Sequence, residues 1–319
     1  MLIRIFIIIF FIFVGFLKTS NAFWVWTPET NSWENPKYSV KETPAEQLAF
    51  AKGFYDAKEF DRAVAEFKKL LKHYPRTKEA AEAQYGIGMC LETVGKPFEA
   101  FKAYQVVIEK YPFSDLSTEV IKKQYEIGNN FLEGRNKRGK FSSVILGSDY
   151  DVIEVFRMVI KNAPYGEYAA PSQYKIALYL QEKYLYEEAR DEFEKVMNDY
   201  PDSEWAKAAK YQIALADAKR STSAQYDQEV TKVATEEFKE FVKVYPDAQL
   251  SQDAHEHIGM LNEKEAENNF LIAQFYEKQK QYKSAKIYYN AVVEDFANTK
   301  WASKALLKLR EISLKDKTN

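Results

Sequence analysis

The chain has 319 residues, of which 29% are charged and 46% hydrophobic, and its net charge is −2. So even a balance argues against a nucleic-acid binder, which needs a basic excess or stripe to neutralise phosphates, and the single cysteine, Cys90, excludes a disulfide within the chain. The 22 Tyr and 22 Phe against only 11 Gly and 10 Pro suit packed helices joined by short turns.

The chain opens on a targeting pattern. Arg4 precedes the apolar run Ile5 to Leu17, whose 13 residues fall short of the roughly 20 that a bilayer-spanning helix needs. Ser20-Asn21-Ala22 then supplies small residues at −3 and −1 of a cleavage site. Residues 1–22 are therefore read as a signal peptide, and the mature chain is expected to start at Phe23 and to be exported. Loss of Arg4 and Lys18 takes the net charge from −2 to −4. Residues 23–43 form an aromatic arm, in which FWVWT and the Ser32-Trp33 pair flank a Pro28-Glu29-Thr30-Asn31 turn signal. This predicts a small hairpin or an extended strand, and the clustered tryptophans are expected to pack on the first repeat, because exposed aromatic clusters are usually covered.

Helical repeats start at Thr43-Pro44, an N-cap followed by a proline in the first turn. The clearest unit runs from Gln173 to Pro201. With Pro201 at position 32 of a repeat, Ile176 and Ala177 take positions 7 and 8, Leu180 takes 11, Ala189 takes 20, Phe193 takes 24 and Val196 takes 27. These are the large and small apolar positions of a tetratricopeptide repeat, in which small residues at 8 and 20 let two helices approach. Pro75 to Pro112 and Pro164 to Pro201 are both 37 residues apart. Phe50, Ala51, Phe54, Ala63 and Phe67 match in the first unit, and Ile87, Gly88, Leu91, Ala100 and Tyr104 in the second, with Gly95-Lys96-Pro97 as its turn.

The later units are stretched. The third holds 52 residues from Pro112 to Pro164, with Gly128 at position 8, Val152 at 20 and a basic loop over 134–140 between its helices. The fifth has a polar linker around Arg220 to Tyr226. The sixth carries 14 extra residues ahead of its first helix, and with no proline from Asp253 to Gln281 that span predicts one long helix. Trp301 to Ile312 is expected to cap the array, and 313–319 to fray. The predicted fold is thus an all-α tetratricopeptide-repeat superhelical solenoid over 44–312, with about six helix pairs plus a C-terminal capping helix.

No catalytic constellation emerges, and no metal or cofactor is expected. His255 and His257 are two apart, so on a helix their imidazoles diverge. Gly86-Ile87-Gly88 lacks the third glycine of a dinucleotide loop, Asp149 and Asp151 are too sparse a pattern for acid–base work, and Cys90 reads as a small core residue. What remains is surface. In the usual repeat geometry positions 2, 5, 9 and 12 face a concave groove that binds peptides. Here they yield Leu48, Lys52 and Tyr55, then Glu82, Tyr85, Met89 and Glu92, then Tyr174, Leu178 and Gln181. Glu263 and Glu267, one turn apart on the long helix in a stretch too polar for a core, are read as a projecting partner-docking face whose charges do not support folding.

From Tyr211 to Ile312 the chain resembles the BamD family of the outer-membrane β-barrel assembly machinery. The likeness is carried by the polar linker before the fifth repeat's second helix, the long helix after Tyr245-Pro246, and the phrase Ala273-Gln274-Phe275-Tyr276 near its end. The resemblance implies a non-catalytic periplasmic scaffold that holds the assembly core subunit and contacts incoming outer-membrane proteins, peripheral to the inner face of the outer membrane. Members of that family are typically lipoproteins with a cysteine straight after the signal; Phe23 stands there in this chain, so attachment by a lipid is not expected. The alternative readings are a Tol–Pal or cell-envelope coordinator and a repeat adaptor that recruits a cell-wall enzyme.

Overall fold

The computed structural model describes residues 24–27, 32–34, 39–138, 149–221, 228–247 and 249–318; the expected signal peptide lies outside them. The arm forms an antiparallel pair, β1 (Val25–Thr27) and β2 (Ser32–Glu34), with Trp26 opposite Trp33. Thirteen helices follow among the described residues. They are α1 (Pro44–Asp56), α2 (Phe60–His73), α3 (Lys78–Thr93), α4 (Pro97–Lys110), α5 (Ser117–Arg138), α6 (Asp149–Asn162), α7 (Ala169–Glu182), α8 (Tyr186–Asp199), α9 (Glu204–Arg220), α10 (Gln228–Val244), α11 (Gln249–Lys278), α12 (Tyr282–Asp295) and α13 (Lys300–Thr318). These are the six expected pairs and the last helix. The chain divides into two compact units, Met1–Leu116 with α1–α4 and Ser117–Asn319 with α5–α13.

Local chemistry sets the helix ends. The Thr43 hydroxyl accepts from the Glu46 amide at 3.2 Å, and Ser203 does the same for Ala206, which satisfies donors that a first turn leaves open. Each described short turn within a pair passes through one left-handed residue at repeat position 15: Lys58, Gly95, Tyr184 and Lys280, with φ between 58° and 79°. Only Gly95 adopts that backbone without a steric cost.

Within each pair the same columns are buried. Position 24 is Phe67, Tyr104, Phe156, Phe193, Phe238 and Tyr289, each no more than 2% exposed. Around it lie Ala51, Gly88, Gly128, Ala177, Ala214 and Ala273 at position 8, and Ala63, Ala100, Val152, Ala189, Ala234 and Ala285 at position 20. The fit is tight: a Cβ on Gly128 would sit 2.8 Å from the Phe156 ring, and one on Gly88 would overlap the Tyr104 ring.

The long helix α11 ties two of these cores together. Its first half places Ala254 and Leu261 against Tyr211, Ala214, Phe238 and Phe241 of α9 and α10. Its second half places Ala266, Phe270 and Ala273 against Ala285, Tyr289, Val292, Ala305 and Ile312 of α12 and α13.

Four expectations are corrected. The basic loop does not begin at Gly134, because α5 continues through Arg138; a single interior glycine costs a helix only about 1 kcal/mol, and Gly139 and Lys140 lie outside the described residues. The last helix runs through Thr318, with no Gly or Pro after Trp301 to stop it. α11 starts one turn earlier than Asp253 and ends at Lys278, just before the left-handed Lys280. The arm's tryptophans are not covered by the first repeat: Trp24, Trp26 and Trp33 are 56%, 43% and 63% exposed.

The buried columns carry a direct test. Phe193→Ala is expected to cost about 3–5 kcal/mol through the cavity it leaves, and Ala189→Leu about 1–3 kcal/mol through overpacking. Thermal unfolding of both variants checks this, and silence in both would mean that the fourth repeat is packed differently.

Candidate functional site

Buried polar contacts decide which surface positions are free to bind anything. Position 4 of the first four repeats is glutamine: Gln47, Gln84, Gln124 and Gln173, none more than 9% exposed. Gln47 Nε2 donates to the Glu66 carbonyl at 3.1 Å and to its carboxylate at 3.0 Å, and Gln84 Nε2 donates to the Ala103 carbonyl at 2.9 Å. Gln173 Nε2 donates to the carbonyl and the carboxylate of Glu192, while Gln124 Oε1 accepts from Asn162 Nδ2 at 2.9 Å. Each such bond is worth only about 1 kcal/mol net, but a slipped helix pair would leave the buried amide unpaired at about 1–3 kcal/mol. The column was present in the sequence as glutamine at one repeat position, four times running. Apolar periodicity alone passes over it.

The expected groove residues divide into two groups. In α1 and α3, Lys52 is exposed and ion-paired to Glu82 at 2.7 Å, Tyr55 packs edge-on against Phe60, and Tyr85 lies 5.4 Å from the Tyr104 ring. Met89 is half-buried beside them. Glu92 is committed elsewhere, because its carboxylate accepts the Tyr104 hydroxyl at 2.8 Å. In α7, Leu178 is half-buried, but Tyr174 and Gln181 are buried and do not line an open groove. Tyr174 packs on Phe193 and Trp205, and Gln181 donates to Gln212 at 3.1 Å. The next repeat covers both, which position number alone does not reveal.

Glu92 belongs to a rule that the sequence also carried. Where position 24 is tyrosine rather than phenylalanine, position 12 is glutamate: Tyr104 with Glu92, and Tyr289 with Glu277 at 2.9 Å. Burial, and then the adjacent carboxylate, pushes both phenols well above their ordinary value.

The acids of α11 are not a projecting face. Residues 262–269 are half-buried or buried, and Glu263, Lys264 and Glu265 are engaged within the fold. Lys264 Nζ donates to the carbonyl and, at 2.6 Å, to the hydroxyl of Ser221, and the Thr235 hydroxyl donates to Glu265 at 3.3 Å. Glu263 Oε1 accepts the Lys300 amide at 2.8 Å, which places a carboxylate on the N-terminus of α13. Its role is structural, contrary to the sequence reading. Glu267 is half-buried with no comparable commitment.

A site that was not anticipated lies between α6 and α7. Ile153, Met158, Tyr179, Leu180 and Leu185 line an apolar cleft of about 610 Å³, rimmed by Arg157, Lys161 and Lys183 with Glu154 the one acid. A cleft of this size accepts a few side chains of a bound segment, and its rim favours acidic flanks. One repeat further on, Arg190 reaches Asp217 at 3.0 Å, Glu194 at 2.7 Å and Glu237 at 2.8 Å, locking α8, α9 and α10 together. His257 stacks on the Phe238 ring at 5.0 Å while His255 is exposed, so the two imidazoles do not converge. Cys90 is buried, and burial pushes its thiol up to about 11, the character of a core residue rather than a nucleophile.

Known proteins resemble the chain over these same segments. The profile of the YfiO family, described as an outer membrane lipoprotein, matches residues 153–315, and a tetratricopeptide-repeat profile matches 48–115. The outer membrane protein assembly factor BamD of Caulobacter vibrioides is 27% identical over 170 residues, covering 53% of this chain and 55% of the relative. The chain thus spans about half the length of the curated relative it matches. Among solved structures, MamA protein is 18% identical, covering 64% of this chain and 93% of that one at a TM-score of 0.35. The C-terminal part of a repeat-containing protein from Cytophaga hutchinsonii is 16% identical, covering 83% and 88% at a TM-score of 0.37.

Two measurements follow from the buried polar contacts. Because Tyr104 and Tyr289 titrate higher in the fold than the ordinary phenol value of 10.0, the stability they contribute is complete below pH 10 and falls as pH rises further, by up to about 1.4 kcal/mol per pH unit for each tyrosine. Urea midpoints between pH 9 and 11 should decline less steeply in Tyr104→Phe/Tyr289→Phe. Glu263→Lys should lower the melting temperature by the equivalent of about 1 kcal/mol, the usual worth of a helix cap, and an unchanged melting curve would rule out its capping of α13.

Proposed function

The chain belongs to the YfiO family of outer membrane lipoproteins, and from that premise we infer that it is an exported, non-catalytic scaffold that binds proteins in outer-membrane β-barrel protein assembly. The observation that carries this reading is that the family match, over residues 153–315, takes in the open α6/α7 cleft. The proposed partners are a β-barrel assembly core subunit and outer-membrane protein substrates, held by residues of the helical repeats. The proposed location is the periplasm at the inner face of the outer membrane, with a mature chain that begins at Phe23 and carries no lipid.

Within the second unit the docking site is assigned to the α6/α7 cleft, and its occupant is a partner segment with apolar anchors and acidic flanks. The apolar floor supplies burial for the anchors, and Arg157, Lys161 and Lys183 complement the flanks. Leu178 and, of the two α11 acids, Glu267 stay in the proposed contact set. In the first unit Lys52, Tyr55, Tyr85 and Met89 form a second proposed peptide surface, where mixed aromatic and charged groups suit recognition.

Affinity purification of the exported chain from solubilised envelope tests this. The expected result is recovery of a β-barrel assembly subunit, reduced at least about tenfold, or ~1.4 kcal/mol, by Met158→Asp/Lys161→Glu with the melting temperature retained. Undiminished recovery with the folded double variant would remove the cleft from the binding site. Recovery of Tol components or of a cell-wall hydrolase instead would replace the assembly role with the corresponding alternative.

A further inference from the structure

The arm before the repeats holds a short antiparallel hairpin with three exposed indoles, two of them paired across its strands. Directly paired residues of an antiparallel ladder share a face, so Trp26 and Trp33 lie side by side on the hairpin, and Trp24 stands just before β1. The Trp26 and Trp33 rings meet edge to face, with centroids 5.7 Å apart. Each of the three indoles remains substantially exposed. The first hydrophobic core is built from α1 to α4 residues, and none of the three tryptophans belongs to it.

We propose that this tryptophan face docks the protein onto a lipid bilayer at its headgroup–acyl boundary. Indole is an apolar body with one N–H donor, and so is suited to a boundary that is apolar on one side and wet on the other. The face holds only indoles, without the Leu or Ile that would fill a protein pocket. Strands of three residues are far short of the roughly 9–11 that cross a bilayer, so the element lies on the membrane rather than in it. None of the described helices is long and apolar enough to cross a membrane. The Tyr74 hydroxyl donates to the carbonyls of Lys41 and Glu42, so six residues lie between Glu34 and the part of the arm held on the first unit, a span of at most about 20 Å. This role goes beyond the scaffold reading and does not depend on which protein the repeats hold.

The test uses the exported chain and vesicles of phosphatidylethanolamine with phosphatidylglycerol. In a Trp205→Phe/Trp301→Phe background all the remaining tryptophan fluorescence, excited selectively over tyrosine, comes from Trp24, Trp26 and Trp33, and vesicles with brominated acyl chains should quench it. Trp24→Ser/Trp26→Ser/Trp33→Ser should weaken vesicle co-sedimentation at least about tenfold with an unchanged helical melting curve, whereas Trp→Tyr at the same three positions should retain most of it. Absence of quenching, or co-sedimentation that survives the triple serine variant, would overturn the proposal. So would crosslinking of the hairpin to a protein partner in a chain that does not bind vesicles.

Discussion

Every repeat depends on one steric arrangement, in which an aromatic ring at position 24 lies across two small side chains at positions 8 and 20. The ring can be phenylalanine or tyrosine and the small residue alanine or glycine, but the spacing has no slack, as the overlap of a Cβ on Gly88 with Tyr104 demonstrates. Protein interiors are packed closely enough that one added methyl is felt. The close approach of the two helices follows from it, and so does the register that brings position 4 opposite position 23, as in Gln47 with Glu66 and Gln173 with Glu192.

Polar groups then divide into those that hold repeats together and those left for solvent or a partner. Arg190 is shared among three acids on three helices, Lys264 closes the end of α9 through Ser221, and Glu263 caps α13. A charged residue on a repeat protein is thus as often a joint between neighbours as a contact for a ligand. The lengthened α11 illustrates this. Its added turns bracket the fifth and sixth cores, and Glu263, Lys264 and Glu265 are engaged by neighbouring helices in doing so.

The surfaces left over differ in chemistry. The α6/α7 cleft joins apolar burial to a basic rim and suits a segment of protein. The tryptophan hairpin offers indoles on a thin, two-stranded platform and suits a boundary between oil and water.

What the sequence by itself determined is the all-α repeat fold. Six pairs and a final helix, the long α11 and the identity of the buried columns all follow from residues at fixed offsets, because the ring at position 24 and the small residues at positions 8 and 20 belong to the same helix pair. It also held the glutamine column and the Tyr–Glu pairing, which apolar periodicity does not look for. Only the tertiary structure decided which face of each first helix stays open. Tyr174 and Gln181 occupy nominal groove positions, yet the following repeat buries them against Trp205 and Gln212. Glu263 looks like any solvent-facing glutamate until α13 presents its amide. Exposure depends on the neighbour that stacks on a repeat, and the pattern within one repeat carries no record of that neighbour's contacts.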